Sequence, residues 1–269
     1  MKLDNKIALL TGAGSGIGRC LANELVKQGA KVILADMNQA ALDETIKLYG
    51  IEEQVLGSVI SNFLDDNGVE NLLEQALKLS ARIDILYNNA GMMAMGQVRN
   101  MQWSDYERMQ KVNQNAPIKL SYLLLPKMIE NGGGYIAFTC SASALTTPPG
   151  AAFYGMTKAA VNAFAEGLRA EVYHKNITVT AICPGFVHTP LAQNIDYRDK
   201  KSEEQTTSVP AFIGSSPERI ARLSVKAMIA GKGTVLIGWD EKIKSFFKHS
   251  CYYLYGKINL LMAKHLLDD

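Results

Sequence analysis

Lys6-Ile7-Ala8-Leu9-Leu10-Thr11-Gly12-Ala13-Gly14-Ser15-Gly16-Ile17-Gly18 opens a stretch that runs to Asp36 and decides the fold. The apolar run Ile7–Leu10 has strand length and ends in four alternating glycines. Ile17, Leu21, Leu25 and Val26 then recur at helical spacing, with Gly29 where a helix stop belongs. Lys31-Val32-Ile33-Leu34-Ala35 reads as a second buried strand, ending at Asp36. Strand, glycine turn, helix, strand and acid form the layout of a dinucleotide site. The glycines let the backbone turn tightly against a pyrophosphate, whose charge sits at the positive end of the helix. Asp36 is placed to accept hydrogen bonds from the adenosine ribose hydroxyls.

The spacing Gly12, Gly16, Gly18 reads G-x-x-x-G-x-G with Thr11 in front. In this it resembles the short-chain dehydrogenase/reductase family, and the rest of the chain can be compared with that pattern. Strands are expected at 54–60, 83–87, 134–139, 178–182 and 234–237, alternating with helices at 39–49, 69–79, 104–130, 154–174 and 217–230. This rhythm predicts an α/β fold, one doubly wound parallel Rossmann-like sheet with flanking helices. Residues 1–240 are expected to form one catalytic and dinucleotide-binding domain, and 241–269 an amphipathic helical tail.

Several further motifs carry the resemblance. Asn88-Asn89-Ala90-Gly91 matches N-N-A-G; small Ala90 and Gly91 would leave room for the cofactor, and Asn88 would tie neighbouring strands. Met92, Met93 and Met95 follow, consistent with an adaptable apolar pocket or with plain core packing. Asn62 stands where relatives carry an Asp that holds the adenine amino group, and its side-chain oxygen can still accept that bond. Asn113 lies in the long helix predicted from an N-cap at Ser104. Pro117, four residues on, has no amide to give the Asn113 carbonyl, which favours a kink and frees that carbonyl for water. Ser141 is followed thirteen residues later by Tyr154, and Lys158 lies one helical turn beyond, giving the Ser…Y-x-x-x-K spacing. Tyr and Lys at i and i+4 project from one face. Ser143 is the alternative serine, two residues short of that spacing. Pro184-Gly185-Phe186-Val187-His188-Thr189 resembles P-G-x-x-x-T, with His188 read as solvated or pocket-lining.

The resemblance implies an NAD(P)-dependent enzyme acting on CH–OH groups, with Asn113, Ser141, Tyr154 and Lys158 catalytic. It implies cofactor contacts from Gly12, Ser15, Gly16, Ile17, Gly18, Asp36, Asn62, Phe63, Asn89, Ala90, Gly91, Tyr154, Lys158, Pro184, Gly185, Val187 and Thr189. NAD is the expected cofactor, because Asp36 would meet the 2′-phosphate of NADP as a like charge and neither Ser15 nor Met37 compensates. Tyr154 would be the acid/base. A free tyrosine titrates near ~10, so work near neutrality asks for about 3–4 kcal/mol in favour of the phenolate. An ammonium about 4 Å away would supply ~4 kcal/mol at an effective dielectric of ~20. The alternatives are an NADPH-dependent ketoacyl-type reductase and a non-catalytic cofactor-binding scaffold.

Composition sets outer bounds. The 269 residues are 48% hydrophobic and carry a formal net charge of +2, so no bulk field points to nucleic acid. Cys20, Cys140, Cys183 and Cys251 are scattered without metal spacing and read as free thiols of a reducing, cytoplasmic compartment. No segment reads as a signal peptide or membrane span. Residues 193–216 read as an irregular loop and hence a lid. In the tail, Ile243, Phe247, Cys251, Leu254, Ile258, Leu261 and His265 share a helical face edged by lysines. That stripe would pack on its own subunit, on a neighbour in a homodimer or homotetramer, or on a membrane surface. The substrate is expected to be a small apolar alcohol or carbonyl compound.

Overall fold

The computed structural model describes residues 2–193, 195–207 and 214–238, with residues 243, 246, 250, 256 and 260 of the tail. β1 (Ile7–Thr11), α1 (Gly16–Lys27), β2 (Lys31–Asp36), α2 (Gln39–Tyr49), β3 (Val55–Ile60) and α3 (Gly68–Leu79) form the first half. The second half holds β4 (Ile85–Asn88), β5 (Ala94–Met95), α4 (Trp103–Met109), α5 (Ala116–Glu130), β6 (Gly134–Thr139), α6 (Ala152–Val172) and β7 (Ile177–Pro184). After it come α7 (Pro190–Gln193), β8 (Asp196–Tyr197), α8 (Lys200–Thr207), α9 (Pro217–Ile229) and β9 (Thr234–Ile237).

Seven strands make one sheet in the order β3-β2-β1-β4-β6-β7-β9, every pairing parallel. Its strands read as nearly continuous apolar runs because helices cover both faces. Successive residues serve opposite faces. Leu9, Ile33, Leu86 and Ile136 meet Leu72 of α3, Leu120 and Leu124 of α5 and Val161 and Leu168 of α6. Leu10, Val32, Leu34, Ile85 and Tyr87 meet Leu21 and Leu25 of α1, Leu42 of α2 and Val225 and Met228 of α9. From β1 the chain builds outward through β2 and β3, then returns to lay β4 on the other side of β1. A crevice therefore opens beyond the carboxyl ends of β1 and β4, the topological switch point where such sheets bind ligands.

Three expectations are corrected. The fourth helix starts at Trp103, not Ser104. Its cap is Gln102, which forms a reciprocal capping box with Asp105. The helix is also not continuous. Gln110–Asn115 is π-helical, centred on the stretch before Pro117, where the missing amide makes an ordinary turn impossible. Finally, the loop expected at 193–216 contains ordered elements. β8 pairs in parallel with β5 as a separate two-stranded sheet, and α8 begins where Asp199 accepts from the Ser202 amide at 2.8 Å. Its sequence, KKSEEQTT, is polar throughout, so no apolar period marked it.

Cys20, Cys140 and Cys183 are free and buried. Of the tail stripe only Ile243 is among the described residues; it is exposed, as are Phe246 and Leu260 off the stripe. Among the described residues no helix is long and apolar enough to cross a membrane.

Candidate active site

The glycine turn is built for close approach. Gly12 holds φ at +66°, and a Cβ there would lie 2.8 Å from the Ala90 Cα. A Cβ on Gly18 would overlap the Gly12 carbonyl, so only glycine lets α1 start so close to β1. Ser15 caps α1 without a side-chain hydrogen bond, and no acidic residue occupies its first turn. The first-turn amides are thus left for an anion. Asp36 accepts from the Gly14 amide at 2.9 Å and the Asn38 amide at 3.1 Å, fixing its carboxylate beside the turn.

Several supports of this turn were missed in the sequence. The Thr11 hydroxyl accepts from the Asn89 and Ala90 amides at 3.0 and 3.1 Å. Arg19 donates through Nε and Nη2 to the Gly14 carbonyl while pairing with Glu44. The tying role expected of Asn88 belongs to Asn89. Asn89 donates to the Gly12 carbonyl (3.1 Å) and accepts from the Thr139 hydroxyl (2.9 Å), joining the ends of β1, β4 and β6. Asn88 instead donates to Ser121 of α5 at 3.2 Å, because the alternation of β4 turns it toward that helix. Only a three-dimensional neighbour could have revealed these roles.

A cavity of about 890 Å³ follows the crevice. At the end beside the glycine turn it is lined by Gly12, Ser15, Gly16, Ile17, Gly18, Asp36, Asn62, Phe63, Asn89, Ala90 and Gly91. Pro184, Gly185, Val187 and Thr189 line it from the end of β7, with Thr189 side-chain atoms 3.3 Å from where a Gly16 Cβ would lie. Asn62 uses its side-chain oxygen to accept from the Leu64 amide, a carbonyl that retains a second lone pair. An extended dinucleotide fits this arrangement: glycine cradle, uncapped helix end and fixed acid lie along one trough.

Ser141, Tyr154 and Lys158 meet on the same cavity wall. Ser141 leads from β6 into a tight turn, its hydroxyl accepting from the Ser143 amide at 3.1 Å; Ser143 is thereby a support of Ser141. Tyr154 is buried against Ala94 and Met109. Burial pushes its phenol up to about 12, while a hydrogen bond with Ser141 pulls the other way. Lys158 is buried too and donates to the Thr139 carbonyl at 3.0 Å; desolvation moves its pKa down. Its Nζ lies 5.8 Å from the Tyr154 ring centroid. A positive charge this near the ring favours the phenolate over the phenol.

Asn113 does not line the cavity. Its side chain clasps Met92, accepting from the amide at 2.8 Å and donating to the carbonyl at 2.9 Å, and donates to Thr157 at 3.4 Å. Met92, Met93 and Met95 line the cavity and also pack around Tyr154 or Ala151, so pocket and core are one surface here. His188 is exposed, edge-on to Phe186 at 5.3 Å, and does not line the cavity. The Cys183 thiol is raised by a hydrogen bond with Cys140 and by burial, which leaves it a poor nucleophile. Among the described residues no cluster of His, Cys, Asp and Glu could hold a metal ion.

Residues 6–200 match the short chain dehydrogenase family. The chain is 29% identical over 259 residues to the Drosophila melanogaster dehydrogenase/reductase SDR family protein 7-like, covering 94% of this chain and 79% of that one. A 3-ketoacyl-(acyl-carrier-protein) reductase from Brucella melitensis, crystallised with NADH, is 26% identical, with a TM-score of 0.77 over 88% of this chain and 98% of that one. A short-chain dehydrogenase/reductase from Burkholderia phymatum, crystallised with NAD, shares the fold at a TM-score of 0.85 and 24% identity, over 94% and 96% of the two chains. The chain belongs to the short-chain dehydrogenase/reductase family. It is an oxidoreductase of an NAD(P)-dependent class.

Proposed function

We propose that this oxidoreductase interconverts an uncharged, apolar secondary alcohol and its ketone, or a primary alcohol and its aldehyde, using NAD(H). The observation that carries the reading is the meeting of Ser141, Tyr154 and Lys158 on one cavity wall whose far end is apolar. Among the described residues lining the cavity, Asp36 and Lys158 alone are charged. Both face the cofactor trough, which leaves Met92, Met93, Met95, Phe186, Leu191 and Ile195 for the substrate.

NAD, when bound, supplies the hydride acceptor, and NADH the donor. The α1 amides and glycine turn would hold its pyrophosphate, Asp36 its adenosine ribose, and Val187 and Thr189 its carboxamide. Lys158 would hold the second ribose. Ser141 positions the substrate oxygen by hydrogen bond. With its phenol held high by burial, Tyr154 is protonated at neutral pH and is the general acid for carbonyl reduction. For alcohol oxidation it acts as base, and the positive charge of Lys158 together with that of the oxidised cofactor favours the phenolate. Asn113, with its side chain spent on Met92, offers its carbonyl next to Pro117 to a water leading to Lys158.

Asp36 supports NAD over NADP, since a carboxylate already fixed by two amides would face the 2′-phosphate. Residues 1–240 act as one catalytic domain of a homodimer or homotetramer. The tail would pack on its own subunit or on a neighbouring one, or touch a membrane surface peripherally. A panel of ketones and alcohols followed by NADH absorbance tests the reading. Apolar ketones should oxidise NADH, and charged keto acids should not. Preference for acyl-carrier thioesters with NADPH would favour the ketoacyl reductase instead. Tight NADH binding without turnover of any compound would leave a cofactor-binding scaffold.

A further inference from the structure

The substrate end of the cavity is walled in part by a segment that the main sheet does not hold. Ile195 and Thr206 line the cavity from this segment, Ile195 packed with Met93 and Met95 and Thr206 donating to the Met95 sulfur at 3.6 Å. Among its described residues the one strand is β8, two residues paired with the two residues of β5. So short a pair is marginal in water, and α8 is too polar to anchor itself by burial. Ile195 and Tyr197 pack on Met95, and ion pairs supply the rest of the anchoring. Arg198 donates through Nε and Nη2 to the two carboxylate oxygens of Asp105, at 2.7 and 2.6 Å. The Asp105 side chain is fully buried, and Arg108 joins it at 2.9 Å while reaching Asp196 at 3.1 Å. Asp199, next along, accepts from the Gln97 amide at 2.7 Å and the Asn100 side chain at 3.2 Å.

From this geometry we infer that Arg198, acting through Asp105, is a positioning residue that fixes the substrate-side wall and so sets the enzyme's preference for uncharged substrates. A planar fork on a desolvated carboxylate defines both distance and angle, which a lysine could not do. The same clamp commits the local charges to one another. Asp105, Arg108, Asp196, Arg198 and Asp199 are all engaged, so none is offered to a carboxylate or phosphate on the substrate. Arg198 is also the side to alter. Without it Asp105 keeps Arg108 and the Gln102 amide as partners, so α4 retains its cap. The inference rests on the oxidoreductase reading for its link to substrate, whereas the clamp itself can be measured without one.

In Arg198→Ala, amide exchange over 196–207 should rise at least tenfold relative to β2 in the same molecule. NADH affinity should stay within about twofold. KM for the best apolar ketone of the panel should rise at least tenfold with kcat changed less than threefold. Arg198→Lys should recover part of the KM, a graded rescue that general destabilisation would not give. Exchange unchanged in Arg198→Ala overturns the clamp, whether or not the wild-type enzyme turns over any ketone. Raised exchange with unchanged KM overturns the link to the substrate wall. Equal losses in NADH affinity and KM overturn it as well, because the cofactor end should not feel this residue.

Discussion

Replacing Tyr154 by Phe removes one oxygen from the buried wall and leaves the ring where it packs, against Ala94 and Met109. The oxygen is the only titratable hydroxyl of the proposed set. General acid–base catalysis by one side chain is commonly worth ~10²–10⁴ in rate, which corresponds to about 2.7–5.4 kcal/mol of barrier. The folded state should hardly notice. One hydrogen bond with Ser141 is lost, a net ~0.5–1.5 kcal/mol, and the relief of a buried phenol offsets part of it. In a chain of this length that moves the melting temperature by about 1–6 °C at most. The assay is kcat on a ketone chosen from the panel, with NADH binding by fluorescence and a thermal melt on the same preparation. Turnover should fall at least a hundredfold while binding and melting stay near wild type. A loss smaller than tenfold would refute the role. No neighbour stands ready to replace it, since Ser143 serves Ser141 through its amide and His188 is exposed outside the cavity.

Four further outcomes are expected. NAD(H) should bind at least tenfold more tightly than NADP(H), and Asp36→Ser should narrow that ratio; titration of both cofactors into both proteins decides it, and tighter NADP(H) binding by the wild type would overturn the assignment. Lys158→Met keeps the chain length and removes a buried charge that burial disfavours, so melting should be unchanged or raised while turnover is lost and NADH binding weakens; a melt lowered by more than about 5 °C would show that the ammonium holds the fold. The Arg198 and Arg108 guanidiniums beside Asp105 hold its carboxyl down at about 2, so its stabilisation is present above the ordinary Asp range near ~4 and disappears as pH falls toward 2; amide exchange in 196–207 should rise over that window before β2 exchanges, and simultaneous loss would contradict it. Truncation after residue 239 should keep the cofactor fold but lower oligomer order or vesicle attachment, as read by light scattering and co-sedimentation; full-length protein that binds no vesicles, with a mass unchanged by truncation, would reduce the tail to packing within the subunit.

What was legible in the sequence follows the range of the contacts involved. The glycine turn and Asp36 lie within thirty residues, and their placement comes from local backbone geometry, so spacing alone exposed the crevice they line. Ser141, Tyr154 and Lys158 were legible because one turn and one helix carry all three. The π-helical stretch at Gln110–Asn115 was half legible: Pro117 announced a defect, but the kind of defect depends on Asn113 clasping Met92, twenty-one residues back. Asn88 and Asn89 could not be told apart by composition. Thr11 and Thr139 select Asn89, and strand alternation sends its neighbour toward Ser121. The segment 195–207 was least legible, because its order comes from Arg198 on Asp105, ninety-three positions away, and from an Asp cap on a helix with no apolar period. The residues proposed for the reaction thus lie in short-range pattern, whereas the wall proposed to select its substrate is held in part by contacts between distant residues. Relatives of this chain that keep Tyr154 and Lys158 should therefore diverge in substrate wherever the residues at 105 and 198 cease to be a carboxylate and a guanidinium.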